Sequence, residues 1–562
     1  MSQDKIKNKE GQYQSTLGDR HNEEHIQWNR RQFLMTGGLA GLGTVLLGGL
    51  PISASMAAGG LSAALNPGDE NILVLVKMFG GNDGLNMIAP YSTAAGKDEY
   101  LKIRPTIGLK YGTDYNDKML LSGFGQTDFA MPQTMEPLMP LWNEGKMAVL
   151  QNVGYADQNY SHFSSIELWS SAADNTFDPR VNSGVMGRYL DQDFPSFRET
   201  PPIVPPALRI GYSSDKIFTG PGNQQLELVF NDPNEFYRLA QYGKLYNTDG
   251  YGDCPQGEER AFLRQLTNNS LRYSQSVTTA YNKASNKIAF PTNTTSRIAE
   301  QLAIVSRLIK GRLGTRIYLV NVDGFDTHSN QKDYHKNLLG HVASSIKAFY
   351  DDLKKDNAQS NVCLMTYSEF GRTIKENGSQ GTDHGNISPM MMFGDGVQGG
   401  FKGNPINLYD PILKNDTVVY FETQKCIDYR SMYATILKDW MCLDNELVDY
   451  SMGSTYPGLP LFNSPCGSNK GSNLNSILIG HNPNPIQSRI IDIKFTALIS
   501  SEMVLSIKSI NGKTIATLLD KFTPKGSYTI PFDPAKWNVP PGEYIYQLNA
   551  AGKTFMRRFN II

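Results

Sequence analysis

The sequence predicts an α/β fold, a mainly parallel sheet sandwiched by helices, followed by a small C-terminal all-β sandwich. Three observations carry that prediction. Near-continuous apolar runs at 71–79 (NILVLVKMF), 147–153 (MAVLQNV), 315–322 (TRIYLVNV) and from Val362 onward read as strands buried on both faces. Segments of helical spacing alternate with them, which argues for a sheet covered on both sides. Near Ser464 the composition turns to Asn, Ser, Gly and Pro, and then to short alternating runs separated by turns.

The 562 residues suggest about three or four domain-sized units, although one large α/β domain accommodates most of them. Apolar residues make up 40% and charged residues 19%, an ordinary globular balance. A net charge of −1 and the lack of a long basic block argue against nucleic-acid binding. The five cysteines, Cys254, Cys363, Cys426, Cys442 and Cys466, lie far apart with no CxxC, so they form neither a zinc knuckle nor a disulfide framework. The odd count leaves at least one unpaired within the chain, and a bridge such as Cys426 to Cys442 stays open.

Taken in order, residues 1–68 read as a polar leader and an export signal. Arg30-Arg31 precede Phe33-Leu34, a run free of charge up to Asp69, and small residues at 53–58. A basic pair, a weakly apolar middle and a small-residue exit are the parts of an export signal. Paired arginines here resemble the twin-arginine signal, with Asn29 where Ser or Thr is usual. The run is long enough to span a membrane, but six glycines between Phe33 and Leu50 make it a poor anchor.

Residues 69–463 read as the α/β domain. Its first strand ends in Gly80-Gly81-Asn82-Asp83-Gly84, a tight loop presenting Asp83. The second leads to Ser161, near the start of a helix, where backbone N–H groups favour anions; a plain N-cap is the competing reading. Pro201 to Pro206 reads as a surface crossing, and 258–311 as mostly helical. The strand at 315–322 ends in Asp326 and His328, before a helix with Leu338, Val342, Ile346, Phe349 and Leu353 on one face. The strand from Val362 ends in Ser368-Glu369-Phe370-Gly371-Arg372, then Asp383-His384 and a second apolar run at 390–393. Residues 428–440 form a further amphipathic helix. Residues 464–484 read as a linker, and 485–562 as a β-sandwich of about five to seven strands.

Carboxylates and imidazoles at the carboxyl ends of strands sit where open α/β sheets bind ligands. Asp83, Asp326 with His328, and Glu369 with Asp383 and His384 each have a bland reading as turn or rim residues. Together they suit one or two divalent ions such as zinc, manganese or magnesium. No phosphate-cradling loop or GxGxxG follows a strand, and no GxSxG elbow appears, so nucleotide-binding and Ser-His-Asp hydrolase readings are weak.

Five motifs, LVLVKMFGGNDGLNMIAPY (73–91), GKMAVLQNVGYADQNYSHFSSIELW (145–169), GFDTHSNQ (324–331), SEFGRT (368–373) and GTDHGNISPMMMFGDGVQGG (381–400), resemble those of the domain of unknown function 1501 family. That family groups with the alkaline phosphatase and sulfatase superfamily. The resemblance runs over roughly residues 70–445 in the right order. Two departures stand out: Met131-Pro132 replaces a usual His-Pro, and Tyr160 replaces an Arg before Ser-His-Phe. The resemblance implies a two-metal site and a nucleophile at a helix N-terminus. Carried over, Ser161 is the nucleophile candidate, Glu369 shares one metal with Asp83, and His384 shares the other with Asp326 and His328. Asp383 bridges or belongs to either, and Arg372 holds an anionic substrate or forms a surface ion pair.

The implied function is an exported, metal-dependent hydrolase of phosphate or sulfate esters. The alternative is a non-catalytic cell-surface binding or structural protein on the same fold. The tail, with Asn482-Pro483-Asn484-Pro485, Pro541-Gly542-Glu543-Tyr544 and the strand at 553–562, resembles a type IX secretion C-terminal sorting domain. The expected transient partners are therefore the twin-arginine translocase and the type IX secretion machinery. The expected destination is the outer-membrane surface or the exterior.

Overall fold

A computed structural model describes residues 71–110, 119–120, 128–194, most of 204–236, 273–292, 296–410 apart from Ile387, 425–466, 478–481 and most of 490–561, with a few isolated positions between. The expected leader and export signal (1–68), Cys254 and most of 258–272 lie outside the described residues.

The central sheet is built from β1 (Ile72–Met78), β2 (Met147–Gly154), β3 (Ala207–Ile210), β4 (Glu227–Phe230), β5 (Ile317–Val322), β6 (Val362–Tyr367), β7 (Ser388–Phe393), β8 (Gly400–Lys402) and β9 (Ile427–Asp428). Its order is β8-β2-β7-β6-β1-β5-β3-β4, with β9 also paired to β2. All pairings are parallel except those of β7, which runs antiparallel to both β2 and β6. An antiparallel neighbour needs no helical crossover, so the chain returns from β6 through a loop alone. In consequence β7 starts at the edge of the sheet where β1, β5 and β6 end. That reversal is what brings His384 to the carboxyl ends of the parallel strands.

The fully buried strands read as expected, and alternate side chains feed two cores. Val74 and Val76 join one with α4 (Ile298–Lys310) and α5 (Gln331–Lys355), through Leu302, Leu308, Leu338 and Ile346. Leu73 and Leu75 join the other with α2 (His162–Ser171), α3 (Val185–Asp193), α6 (Tyr429–Thr435) and α7 (Asn445–Met452). A further helix, α1 (Lys97–Ile103), ends at Arg104. The segment 284–292 is not helical, which breaks the long helical stretch expected over 258–311.

One residue of β1 departs from the apolar pattern. Lys77 is buried and pairs with buried Asp215 at 2.9 Å, beside a second buried pair, Arg209 with Glu227 at 2.8 Å. An unpaired charge in such a place costs several kcal/mol, so each buried ion carries its counter-ion with it.

The C-terminal strands are β10 (Leu478–His481), β11 (Ile491–Ala497), β12 (Ser501–Ser509), β13 (Thr514–Thr523), β14 (Gly526–Phe532), β15 (Gly542–Ala550) and β16 (Lys553–Ile561). They form two antiparallel sheets, β10-β11-β14 and β13-β12-β15-β16. Ile493, Phe495, Leu505, Ile507, Phe532, Tyr546 and Phe559 share one core, as a small sandwich requires. The expected linker 464–484 is shorter than its composition suggests. Cys466 is bridged to Cys442, whereas Cys426 is not part of that bridge, and β10 already pairs with β11.

Candidate metal centre

Three imidazoles and one carboxylate converge at the carboxyl edge of the sheet. Asp326 and His328 come from the loop after β5, His384 from the short strand pair before β7, and His162 from the first turn of α2. Asp326 Oδ1 lies 3.0 Å from His328 Nε2 and 3.2 Å from His384 Nε2, while Asp326 Oδ2 lies 3.6 Å from His162 Nε2. The Nε2 atoms of His328 and His384 are 3.0 Å apart. The ligand atoms of His162, Asp326 and His384 all fall within 4.8 Å of one another. Ligands about 2.1 Å from a tetrahedral ion sit roughly 3.4 Å apart, so the spacings among His162, Asp326 and His384 fit a single divalent ion, with His328 beside Asp326 and His384.

The other ring nitrogen of each histidine is occupied. His162 Nδ1 lies 2.7 Å from Glu369 Oε1, His328 Nδ1 3.2 Å from Asp383 Oδ1, and His384 Nδ1 donates to the Tyr160 carbonyl at 2.8 Å. A carbonyl only accepts, so His384 carries its hydrogen on Nδ1, and burial lowers its pKa and keeps the ring neutral. With every Nδ1 facing an acceptor, the Nε2 atoms turn toward one another and toward Asp326, and His328 Nε2 also lies 3.4 Å from Arg372 Nη1. Buried His162 Nε2 has no hydrogen-bond partner. Acceptors held on the far nitrogen are the usual support of metal-bound histidine. Three carboxylates, Asp326, Glu369 and Asp383, stand near the single guanidinium of Arg372, a donor set that suits a divalent ion. The residues present fit the ion that the sequence led us to expect.

The surroundings fix this geometry. Glu369 is wholly buried and its Oε1 also accepts from Gly80 N at 2.9 Å. Its carbonyl accepts from Ser165 Oγ and Gln158 Nε2, which ties β6 to α2. Gly80 has φ +122° and its position for a Cβ is 2.3 Å from Asp326 N, so only glycine lets the β1 loop lie against the ligand loop. Phe370 packs against the rings of both His162 and His384 at 4.7 and 4.6 Å.

Several expectations require correction. The half-site of Asp83 with Glu369 does not form. Asp83 is buried against Arg104 at 2.7 Å and accepts from Gln331. Burial opposes its charge, but Arg104, His335 and Gln331 overcome that and hold its pKa below the usual value. Glu369 orients His162 rather than pairing with Asp83, and among the described residues no second group of candidate metal ligands gathers around Asp83. Asp383 is exposed and accepts from Asn377 Nδ2 at 3.0 Å, which puts it behind His328 as a support. Arg372 forms an ion pair, as one of its two readings expects, but from a buried position and with Asp326. Its donors go to the carbonyls of Gly80, Gly81, Phe325 and Thr382, to Asp326 and to His328 Nε2.

Ser161 sits at the N-cap of α2, exposed, and its hydroxyl makes no capping bond. Tyr160, whose carbonyl orients His384, stands before it and His162 after it.

His162 was missed although it stands in a quoted motif. A histidine in the first turn after a strand's carboxyl end carried the same signal as the others. Arg104, Gln331 and His335 gave none. His335 is buried, bonded to Asn82 Oδ1 at 3.0 Å, and burial pushes its pKa down to about 4.

No curated protein matches this chain. Among solved structures, it is similar to the PsFucS1 sulfatase from a Pseudoalteromonas species at 10% identity, TM-score 0.30, covering 84% of this chain and 85% of that one. It is also similar to a protein in the alkaline phosphatase superfamily from Vibrio parahaemolyticus at 8% identity, TM-score 0.28, covering 84% and 85%. The lipoteichoic acid synthase LtaP from Listeria monocytogenes is a third, at 8% identity, TM-score 0.24, covering 60% and 68%. Scores this low add nothing to the geometry of the centre. Residues 261–445, which hold Asp326, His328, Glu369, Asp383 and His384 but neither Asp83 nor His162, match the family described as Protein of unknown function (DUF1501).

Proposed function

We propose that the protein is an exported hydrolase of phosphate or sulfate esters that works with one divalent ion held by His162, Asp326, His328 and His384. The observation that carries the metal reading is the convergence of three Nε2 atoms on Asp326, each ring held from behind by Glu369, Asp383 or the Tyr160 carbonyl. The ester reading follows from the motif resemblance of 73–400. An ion held there supplies Lewis acidity to an ester oxygen. Ser161 offers a hydroxyl uncommitted to capping beside His162, at a helix N-terminus that favours an anion. Phe370 shields one side of His162 and His384 from water.

Export through a twin-arginine signal and a type IX sorting domain belongs to the same proposal. The Cys442–Cys466 bridge supports an oxidising destination. A second reading, a metal-stabilised surface protein without turnover, draws support from Arg372, whose engagement with four carbonyls leaves it poorly placed to receive an anionic substrate.

Elemental analysis of the purified protein, paired with aryl phosphate and aryl sulfate substrates, tests the proposal. The expected result is one divalent ion per chain and turnover that chelation abolishes. Bound metal without turnover leaves the second reading; no metal removes both.

A further inference from the structure

We infer that Gln331 is a positioning residue that locks the two ligand loops in register, an inference that rests on the metal reading above. Gln331 is wholly buried at the start of α5. Its Oε1 accepts from Thr327 Oγ at 3.0 Å and from Thr382 Oγ at 2.6 Å. Its Nε2 donates to Asp83 Oδ2. Thr327 lies between the ligands Asp326 and His328, and Thr382 stands two residues before the ligand His384. An amide oxygen has two lone pairs, and here each takes the hydroxyl of one ligand loop.

The loops also touch directly. Thr382 N donates to Thr327 O at 3.1 Å, and a Cβ on Gly381 would stand 2.3 Å from the His328 carbonyl carbon. Backbone contact sets how near the loops come, and Gln331 sets their register. The 3.0 Å separation of His328 and His384 Nε2 depends on that register. Metal constellations need their donors held within about 0.5 Å, so a slip between the loops should weaken binding with every ligand still present. Asp83 then acts at the centre through Gln331, anchored from behind by Arg104.

The test titrates zinc into metal-stripped full-length protein by calorimetry and records the visible spectrum of the cobalt(II) form. Gln331→Met and the double variant Thr327→Val with Thr382→Val should each lower zinc affinity about 10- to 100-fold and alter the cobalt bands. Thr327→Ser with Thr382→Ser, which keeps both hydroxyls, should hold affinity within about threefold of wild type and keep its spectrum. Should Gln331→Met fail to fold, the two threonine pairs decide. Wild-type affinity and spectrum in the valine pair, or equal losses in the serine pair, overturn the inference while leaving the metal reading intact. A wild-type protein that binds no zinc, cobalt or other divalent ion overturns the metal reading, and the inference falls with it.

Discussion

The loops after β1 and β5 look alike in sequence and end differently in space. Each follows a buried parallel strand, each turns on glycine, and each presents an aspartate. Asp83 is 1% exposed, held by Arg104 and Gln331, with its charge fully matched. The Asp326 side chain is 47% exposed and faces three imidazole Nε2 atoms as well as Arg372. What separates a structural aspartate from a ligand is the counter-charge that other elements deliver. Arg104, 21 residues beyond Asp83 and at the end of α1, makes the first a closed ion pair. Asp326 has Arg372 as its counter-charge and, in addition, the imidazoles of His162, His328 and His384, which make it a candidate ligand.

Breaking the closed pair should have the largest effect. Arg104→Met strands a buried carboxylate and should cost about 3–5 kcal/mol in chemical denaturation. A loss under about 1 kcal/mol would show that Asp83 is not closed after all. The next effect comes from the other closed acid, Asp215. Burial alone would raise its pKa, but Lys77, Arg209 and Ser170 bring it down to about 2 from 3.8. Because the folded value is the lower one, the stabilisation is present above pH 4 and fades as pH falls from about 4 to about 2. At 1.36 kcal/mol per unit it amounts to about 2 kcal/mol, and Asp215→Asn should flatten that limb of a stability–pH curve.

The contrast also measures what the chain made legible. The buried strands were readable because β1, β5 and β6 are apolar at almost every position, and only a two-faced sheet buries such runs. Asp326, His328 and His384 were readable for the same reason, since strand ends fix where their side chains meet. Glu369 was readable as a strand-end acid but not as the partner of His162, because that depends on how α2 docks on β6. The antiparallel course of β7 was equally hidden: Met390 to Phe393 is apolar whichever way it runs. Arg104 and Gln331 contact Asp83 from 21 and 248 positions away, and no local pattern encodes either meeting.

Within the open site, Glu369→Gln sharpens the comparison at a smaller scale. The amide keeps an oxygen for Gly80 N and His162 Nδ1 but removes the charge that makes the imidazole a stronger donor. Zinc affinity should fall about tenfold, near 1.4 kcal/mol, with the melting of the metal-free protein little changed. A loss of folding instead would place Glu369 with Asp83 among the structural acids.

Ser161→Ala should disturb the assembled site least. Replacing a capping serine costs about 1 kcal/mol when its hydroxyl holds a helix N–H. Here no such bond exists, so stability should move by less than about 0.5 kcal/mol. Zinc affinity should also hold, because the hydroxyl supports no ligand and the Tyr160 carbonyl stays on His384 Nδ1. With Ser161 as the proposed nucleophile, turnover of aryl phosphate or aryl sulfate should vanish, since the variant would remove the attacking oxygen and nothing else. Retained turnover in a variant with intact metal would take the nucleophile's role from Ser161 without touching the ligand set. Closed and open acids would then still differ as described, and the attacking oxygen would have to come from solvent.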